Sequence, residues 1–373
     1  MKKILLVAPV GKDNAINGGY NKIANNLDYI FKLKKHEYNY NYTSCHVSEF
    51  ENIDEEFDIV LFQCHPNMFL FDKKFLSIYK SKKDLFKKTY LHIAWETSPF
   101  PNYWKVLNNF FDGYATTSDF CKTEMKSLTQ KICYKIPFYI EDSFYSLYKG
   151  RLSLTDKKEE KQFTVLFMGQ NTKRKGIEDA LTAFSIFSNG KEDDVRMICK
   201  YHNLSDKEIP VPVLAKNIIE TNSYTLNRKP NIFLLDYDID DKTIIQLYKD
   251  SSLLLQCSRG EGFGLCGLES NLVGIPHTYT NFSSTKEVGE YCKSINAPID
   301  CDLVPSYGMS QYHYKINSNY GLPKLNSILY NLEMYYGAWK ANKMKYYEDA
   351  LKGTEKLPEY LNGMKNEFLE GVL

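Results

Sequence analysis

Short apolar runs alternate with polar stretches of helical periodicity along this chain, and that rhythm predicts buried parallel strands joined by amphipathic helices. Residues 3–8 form the first such run, and beyond Gly18 and Gly19 the residues Tyr20, Ile23, Leu27 and Ile30 recur on one helix face. Residues 57–62, 89–95 and 112–117 read as further strands, with Ser118 placed to cap the helix after the last. Turn residues and the charged run 156–161 then interrupt the pattern between Pro137 and Gln162, which predicts a domain boundary there. The rhythm restarts with a strand at 163–169, a helix holding Ile177, Ala180, Leu181 and Phe184, and strands at 232–235 and 253–255. A helix with Leu265, Leu268 and Leu272 at its apolar positions follows, stopped by Gly274 and Pro276. The expectation is an α/β protein of two Rossmann-like domains, residues 1–145 and 160–354, ending in a helical stretch at about 355–373.

The segment from Ser258 to Glu269 carries the most chemistry. Gly260, Gly262 and Gly264 follow an apolar strand and precede a helix, so the backbone can turn sharply and approach a ligand closely. The unpaired N–H groups and positive dipole at a helix head suit an anion such as a diphosphate. Glu261 and Glu269 stand with seven residues between them. Glu269, about one turn inside the helix, is placed to accept from the neighbouring hydroxyls of a ribose, and Glu261 on the turn can reach a second polar group. The alternative roles are a helix cap for Glu261 and a solvated helix residue for Glu269.

Glu261 to Glu269 in the context EGFGLxxLE, followed by Gly274, Ile275 and Pro276, resembles the signature of glycosyltransferase family 4, the group 1 glycosyl transferases with the GT-B fold. A second match is the strand ending at Gly169, followed by Lys173, Arg174, Lys175 and Gly176; in the family the equivalent basic pair holds the donor diphosphate. Where many members carry Arg directly after the strand glycine, this chain has Gln170, which leaves the clamp to Arg174 and Lys175. Gly18 and Gly19 match the double glycine with which members approach the donor phosphate or the acceptor. The resemblance implies two domains facing across a cleft, with the final helix crossing back to the first. It also implies donor contacts from Gly18, Gly19, Arg174, Lys175, Gly262, Phe263, Gly264, Leu265 and Glu269, and retention of anomeric configuration. Catalytic candidates are Glu261, and His92 and Glu96 at the end of a first-domain strand, where members place a His or an acid near the transferred sugar; His65 is a comparable strand-end residue. The implied donor is a UDP-sugar rather than a GDP-sugar, with no further cofactor.

Asp236 and Asp238 after the strand at 232–235 offer a rival, because D-x-D after a strand is how the GT-A architecture holds a divalent cation. Asp240 or Asp241 is equally placed to cap the next helix, and Arg174, Lys175 and the helix heads already supply positive charge, so no metal is expected.

Composition narrows the partners. The 373 residues carry 47 basic and 46 acidic side chains, a net charge of +1, which argues against a surface that grips nucleic acid or anionic lipid throughout. Locally, residues 71–90 hold seven Lys against Asp72 and Asp84, with Phe71, Phe75 and Tyr79 at a helical spacing. Such a face suits a membrane or DNA phosphates, or turns its rings inward and leaves its lysines in water. Only five of the cations are Arg, a bias of AT-rich coding, which keeps open a phage or viral enzyme that glycosylates a hydroxymethylated DNA base. Other acceptors are a glycan or a lipid-linked sugar, and a catalytically inactive sugar-binding module is a further reading. Nine scattered cysteines without a C-x-x-C pair, and no apolar run of membrane-spanning length, lead to an expected cytoplasmic location, with peripheral membrane contact or a host cytoplasm as variants.

Overall fold

The computed structural model describes residues 1–10, 19–140, 142–203, 208–222, 228–306 and 317–373. Gly18 therefore lies outside the described residues. The chain divides into two compact units, one of residues 1–95, 99–141 and 359–373, the other of residues 96–98 and 142–358.

The first unit is built on six parallel strands: β1 (Lys2–Val7), β2 (Tyr40–Cys45), β3 (Phe57–Phe62), β4 (Phe86–His92), β5 (Gly113–Thr116) and β6 (Cys133–Lys135). They lie in the order β2-β1-β3-β4-β5-β6. Ile4 to Ala8 and Val60 to Phe62 are wholly buried, as strands covered on both faces require. Ser118 caps the helix Asp119–Met125 by accepting from the Cys121 amide at 3.2 Å, as its position predicts.

Residues 71–90 resolve into two roles. Asp72 caps the helix Lys73–Lys82 through the Phe75 amide, so the apolar face restarts there and the expected Phe71-Phe75-Tyr79 stripe is broken. Phe75 and Tyr79 turn inward against Phe69, whose ring lies 5.0 and 5.2 Å from theirs, while Phe71 remains 68% exposed. Lysines of the same stretch pair at the surface, Lys87 with Asp58 at 2.7 Å and Lys74 with Glu51 at 3.4 Å.

The terminal segment is not one helix but ends in Leu357–Asn362 and Glu367–Val372, the latter within the first unit. Glu367 accepts from Lys122 Nζ at 2.6 Å and from the Lys135 amide at 2.8 Å, and Phe368 packs edge-on to Tyr90 at 5.1 Å. The closing segment thus supplies core to the first sheet.

The second unit repeats the scheme with β7 (Phe163–Gln170), β8 (Val195–His202), β9 (Ile232–Leu235), β10 (Leu253–Gln256), β11 (His277–Thr280) and β12 (Ala297–Ile299). Their order is β12-β11-β10-β7-β8-β9, all parallel, so the winding reverses between β7 and β10. Open α/β sheets bind ligands beyond the carboxyl ends of the strands at such a reversal. An antiparallel hairpin absent from the sequence reading, β13 (Cys301–Pro305) with β14 (Asn319–Pro323), follows β12. Residues 96–98 join this unit, where Ser98 and Asn319 exchange backbone hydrogen bonds of 3.2 and 2.7 Å. Two parallel six-stranded Rossmann-like units give the GT-B architecture.

Candidate functional site

The two loops that leave β7 and β10 meet at the winding reversal of the second unit. Lys173, Arg174 and Lys175 form a short 3-10 turn after β7, separate from the helix that the sequence had them open. The break is Gly176, at φ 69, which begins the helix Ile177–Phe187 instead. A side chain there would place its Cβ 2.2 Å from the Cys257 carbonyl oxygen, so both the backbone conformation and the closeness of the second loop demand glycine. The loops are stapled twice more: the Arg259 amide donates to the Arg174 carbonyl at 2.7 Å, and the Arg259 guanidinium donates to Asp179 at 2.8 and 3.2 Å.

Lys175 Nζ lies 2.6 Å from Glu261 Oε1, and Arg174 Nη1 donates to Glu261 Oε2 at 3.1 Å and to the Gly260 carbonyl at 2.9 Å. Glu96 completes the cluster, its Oε1 3.6 Å from Arg174 Nη2. Burial would by itself raise the Glu261 pKa, but the adjoining Lys175 and Arg174 outweigh it and hold the carboxyl at about 2. Burial likewise disfavours the Arg174 cation, and Glu96 and Glu261 reverse that, raising it above its ordinary value. Glu261 and Arg174 are therefore charged across the physiological range.

The Glu261 backbone is also held. Its amide donates to Ser283 Oγ at 2.9 Å, and the Ser284 hydroxyl donates to the Gly262 carbonyl at 2.9 Å. Ser283 adopts φ 56, a left-handed conformation unusual outside glycine and found where surrounding structure enforces it. Gly264, at φ 103, precedes the helix Leu265–Val273 and carries the chain into it without side-chain strain. Phe263 is buried and Leu265 half-buried at that helix head.

Glu269 lies one turn further in and is not the solvated helix residue of the plainer reading: it is 3% exposed. Its Oε2 is 3.0 Å from the hydroxyl of Tyr248, a wholly buried phenol that also lies 3.1 Å from the Cys266 carbonyl. Tyr320 of β14 packs behind Gly260, whose Cβ position it would meet at 3.0 Å; burial first, then Glu96, pushes its phenol far above the usual range. Tyr248, Ser283, Asp179 and Tyr320 are not among the site candidates that the sequence offers, and no local pattern marks them as such.

The first-unit candidates have different surroundings. His92 ends β4 wholly buried, with Nε2 2.9 Å from Thr117 Oγ1 and no partner for Nδ1 among the described residues. Burial lowers its pKa to about 3, so the ring is neutral. His65 accepts from the Asn67 amide at 3.2 Å and sits against the rings of Trp95 and Trp104. Gly19 begins the helix Gly19–Lys34. Asp240, after the Asp236 and Asp238 pair, accepts from the Thr243 amide at 2.8 Å and so caps the helix Asp241–Lys249.

Residues 154–290 match the family described as Glycosyl transferases group 1, a stretch that includes the β7 and β10 loops. A search of curated proteins gives no match. Among solved structures the chain is similar to Anabaena HepE in complex with UDP-glucose, at 14% identity over 100% of this chain and 97% of that one, with a TM-score of 0.57. It is also similar to a mutant of S. aureus TarM in complex with Fondaparinux, alpha-GlcNAc-glycerol and UDP (13% identity, 94% of this chain, TM-score 0.54). A third is the pneumococcal O-GlcNAc transferase GtfA in complex with UDP and GlcNAc (14% identity, 87% of this chain, TM-score 0.51). The chain spans 58% of TarM and 59% of GtfA. At these identities the likeness carries the architecture alone.

Proposed function

We propose that this chain, a glycosyltransferase by the group 1 domain in its second unit, moves a sugar from a UDP-sugar to an acceptor hydroxyl with retention of anomeric configuration. The observation that carries the donor reading is the convergence of Lys175, Glu261 and the head of the helix Leu265–Val273 at the winding reversal of the second sheet. Support for uridine comes from the UDP bound by HepE, TarM and GtfA.

In this reading the nucleotide ribose lies on Glu269, and the diphosphate takes Lys175 and the positive end of the helix Leu265–Val273. Breaking the anomeric C–O bond leaves negative charge growing on the diphosphate and positive charge on the ring. Lys175 and the helix head stabilise the former, and the ionised Glu261 orients and stabilises the latter. Cations fixed before substrate arrives need little rearrangement during reaction, which is why we assign no metal to the site.

For the acceptor, the ligands of one similar structure favour a glycan: TarM was solved with Fondaparinux and alpha-GlcNAc-glycerol. The inward packing of Phe75 and Tyr79 removes two of the three rings that made residues 71–90 attractive as a DNA or membrane face. The test is a donor panel of UDP-glucose, UDP-galactose, UDP-GlcNAc and their GDP counterparts. Release of nucleotide diphosphate is followed with and without glycan acceptors, and products are identified by mass spectrometry. UDP release from at least one UDP-sugar is expected; release only from GDP-sugars, or from none, would overturn the proposal.

A further inference from the structure

The helix Leu325–Ala341 lies on the second unit with Ile328, Leu332, Tyr335 and Trp339 buried along one side. Its rotation is fixed by Asn331, whose amide donates to Thr278 Oγ1 at 2.8 Å and to the Pro298 carbonyl at 2.9 Å. A helix with one face in the core ordinarily turns charge to the water on the other. This one does not. Tyr330, Met334, Gly337 and Ala341 fall within about 60° of arc opposite the core. All four are exposed, Tyr330 to 70% and Met334 to 42%. Of the 17 residues only Glu333 and Lys340 are charged, and both stand on one flank of that apolar face.

The placing of those two charges says what covers the face. Seven residues apart, they are separated by about 20° around the helix axis and about 10 Å along it. A two-fold axis perpendicular to the helix and midway between them would bring Glu333 of one copy level with Lys340 of another on the same flank, and do so twice. A two-fold axis parallel to the helix would put the charged flanks on opposite sides, so charge selects the antiparallel arrangement. Within the protomer Glu333 pairs with Lys191 at 2.8 Å and Lys340 with Asp194 at 2.7 Å, but both side chains keep more than half of their surface in water and can take a second partner. The same axis passes beside Gly337. Its backbone is ordinary helix, and among the described residues nothing lies within 4 Å of the position its Cβ would take. Glycine there weakens the helix and serves no packing inside the protomer, but it lets a second helix approach closely.

We propose that this face docks on the same face of a second copy of the chain, as an isologous antiparallel pair that crosses at Gly337. The contact is a single helix pair, smaller than the roughly 800 Å² per partner of a stable complex, so the association is weak, with a dissociation constant of about 10–100 μM. It stands apart from the donor reading, since none of its residues belongs to the loops after β7 and β10.

The experiment is sedimentation velocity of the full chain from about 1 to about 300 μM, with G337Q, E333K and K340E, each checked for folding by a thermal melt. The wild type is expected to pass from monomer to dimer within that range. G337Q sets a long side chain at the crossing while improving the helix, so it is expected to weaken pairing by about tenfold or more without a lower melting temperature. E333K and K340E each place like charges across the two-fold axis and are expected to weaken pairing about fivefold or more. E333K also sets a lysine beside Lys191 in its own protomer, a defect that persists in any mixture. An equimolar mixture of the two charge variants turns both contacts back into opposite pairs and is expected to recover the dimer that neither forms alone. A wild type that stays monomeric throughout would overturn the proposal, as would a G337Q that pairs like the wild type. A mixture that associates no better than its components would overturn the antiparallel register, and with it the argument for a second copy.

Discussion

Lys175 and Glu261, eighty-six positions apart in sequence, stand 2.6 Å apart at the point where the second sheet reverses its winding. The pair places a cation at the carboxyl ends of β7 and β10. Its energetic value as an ion pair is secondary to this placement, since burying two charges costs most of what their attraction returns.

Lys175→Ala should therefore hurt turnover more than stability. Loss of one preorganised charge at the departing diphosphate is expected to cut kcat by about 100-fold or more, read as UDP release at saturating donor. A variant with wild-type turnover would remove Lys175 from the mechanism.

Tyr248→Phe deletes one hydroxyl from the buried side of Glu269. The carboxylate then loses a neighbour that fixes its rotamer, and UDP affinity is expected to fall by about threefold to tenfold, with Glu269→Ala falling further. Comparing UDP with its 2′-deoxy analogue by calorimetry isolates the effect: the preference for ribose should shrink in both variants. An unchanged preference in Glu269→Ala would place the ribose elsewhere.

Two glycines with positive φ provide a matched test of close approach. Gly176→Ala suffers a left-handed conformation and a Cβ driven onto the Cys257 carbonyl, whereas Gly190→Ala at φ 77 suffers the conformation alone, with open space around it. Denaturant melts should show a loss of about 1 kcal/mol for Gly190→Ala and about 3 kcal/mol or more for Gly176→Ala. Equal losses would mean that the loops after β7 and β10 are not held together as tightly as described.

Acid should destabilise the fold well above the range in which its carboxylates titrate. His92 and His277 are wholly buried with pKa values lowered to about 3, from an ordinary 6.5. The unfolded chain takes up these protons below pH 6.5 and the folded chain does not. Stability is therefore full above that value and is lost as pH falls toward 3, by about 2 kcal/mol per histidine at pH 5. Glu261, at about 2 when folded against an ordinary 4.5, adds its own loss only below pH 4.5. Replacing either histidine with Gln should flatten the dependence between pH 7 and 5, whatever it does to stability at pH 7; an unchanged slope would rule out a buried neutral ring.

The loops after β7 and β10 were legible because their signals are local. A strand, a glycine turn and a helix head lie within a dozen residues around Glu261, and the same theme precedes Lys175. What stayed hidden depends on residues that meet only through the tertiary fold. Nothing near Tyr320 or Ser283 in sequence announces that they pack on the β10 loop, and nothing around Glu96 tells that residues 96–98 join the second unit. His92 shows the complementary failure: its place at a strand end was readable, but its complete burial was not, because strand periodicity does not say how deep an end lies. The spacing puts Phe71 in one stripe with Phe75 and Tyr79, but Asp72 between them is a cap residue that restarts the helix and leaves Phe71 outside.

The return of residues 359–373 to the first sheet orders events during synthesis. Phe368 and Glu367 belong to the core and the β6 edge of a unit that is otherwise made first, and residues 142–358 must all emerge before they arrive. Until then the nascent first unit waits with Phe31, Tyr90 and Tyr134 lacking the ring that later packs among them. The amino-terminal half is translated early and finished late, so a break anywhere in the second half leaves both halves incomplete.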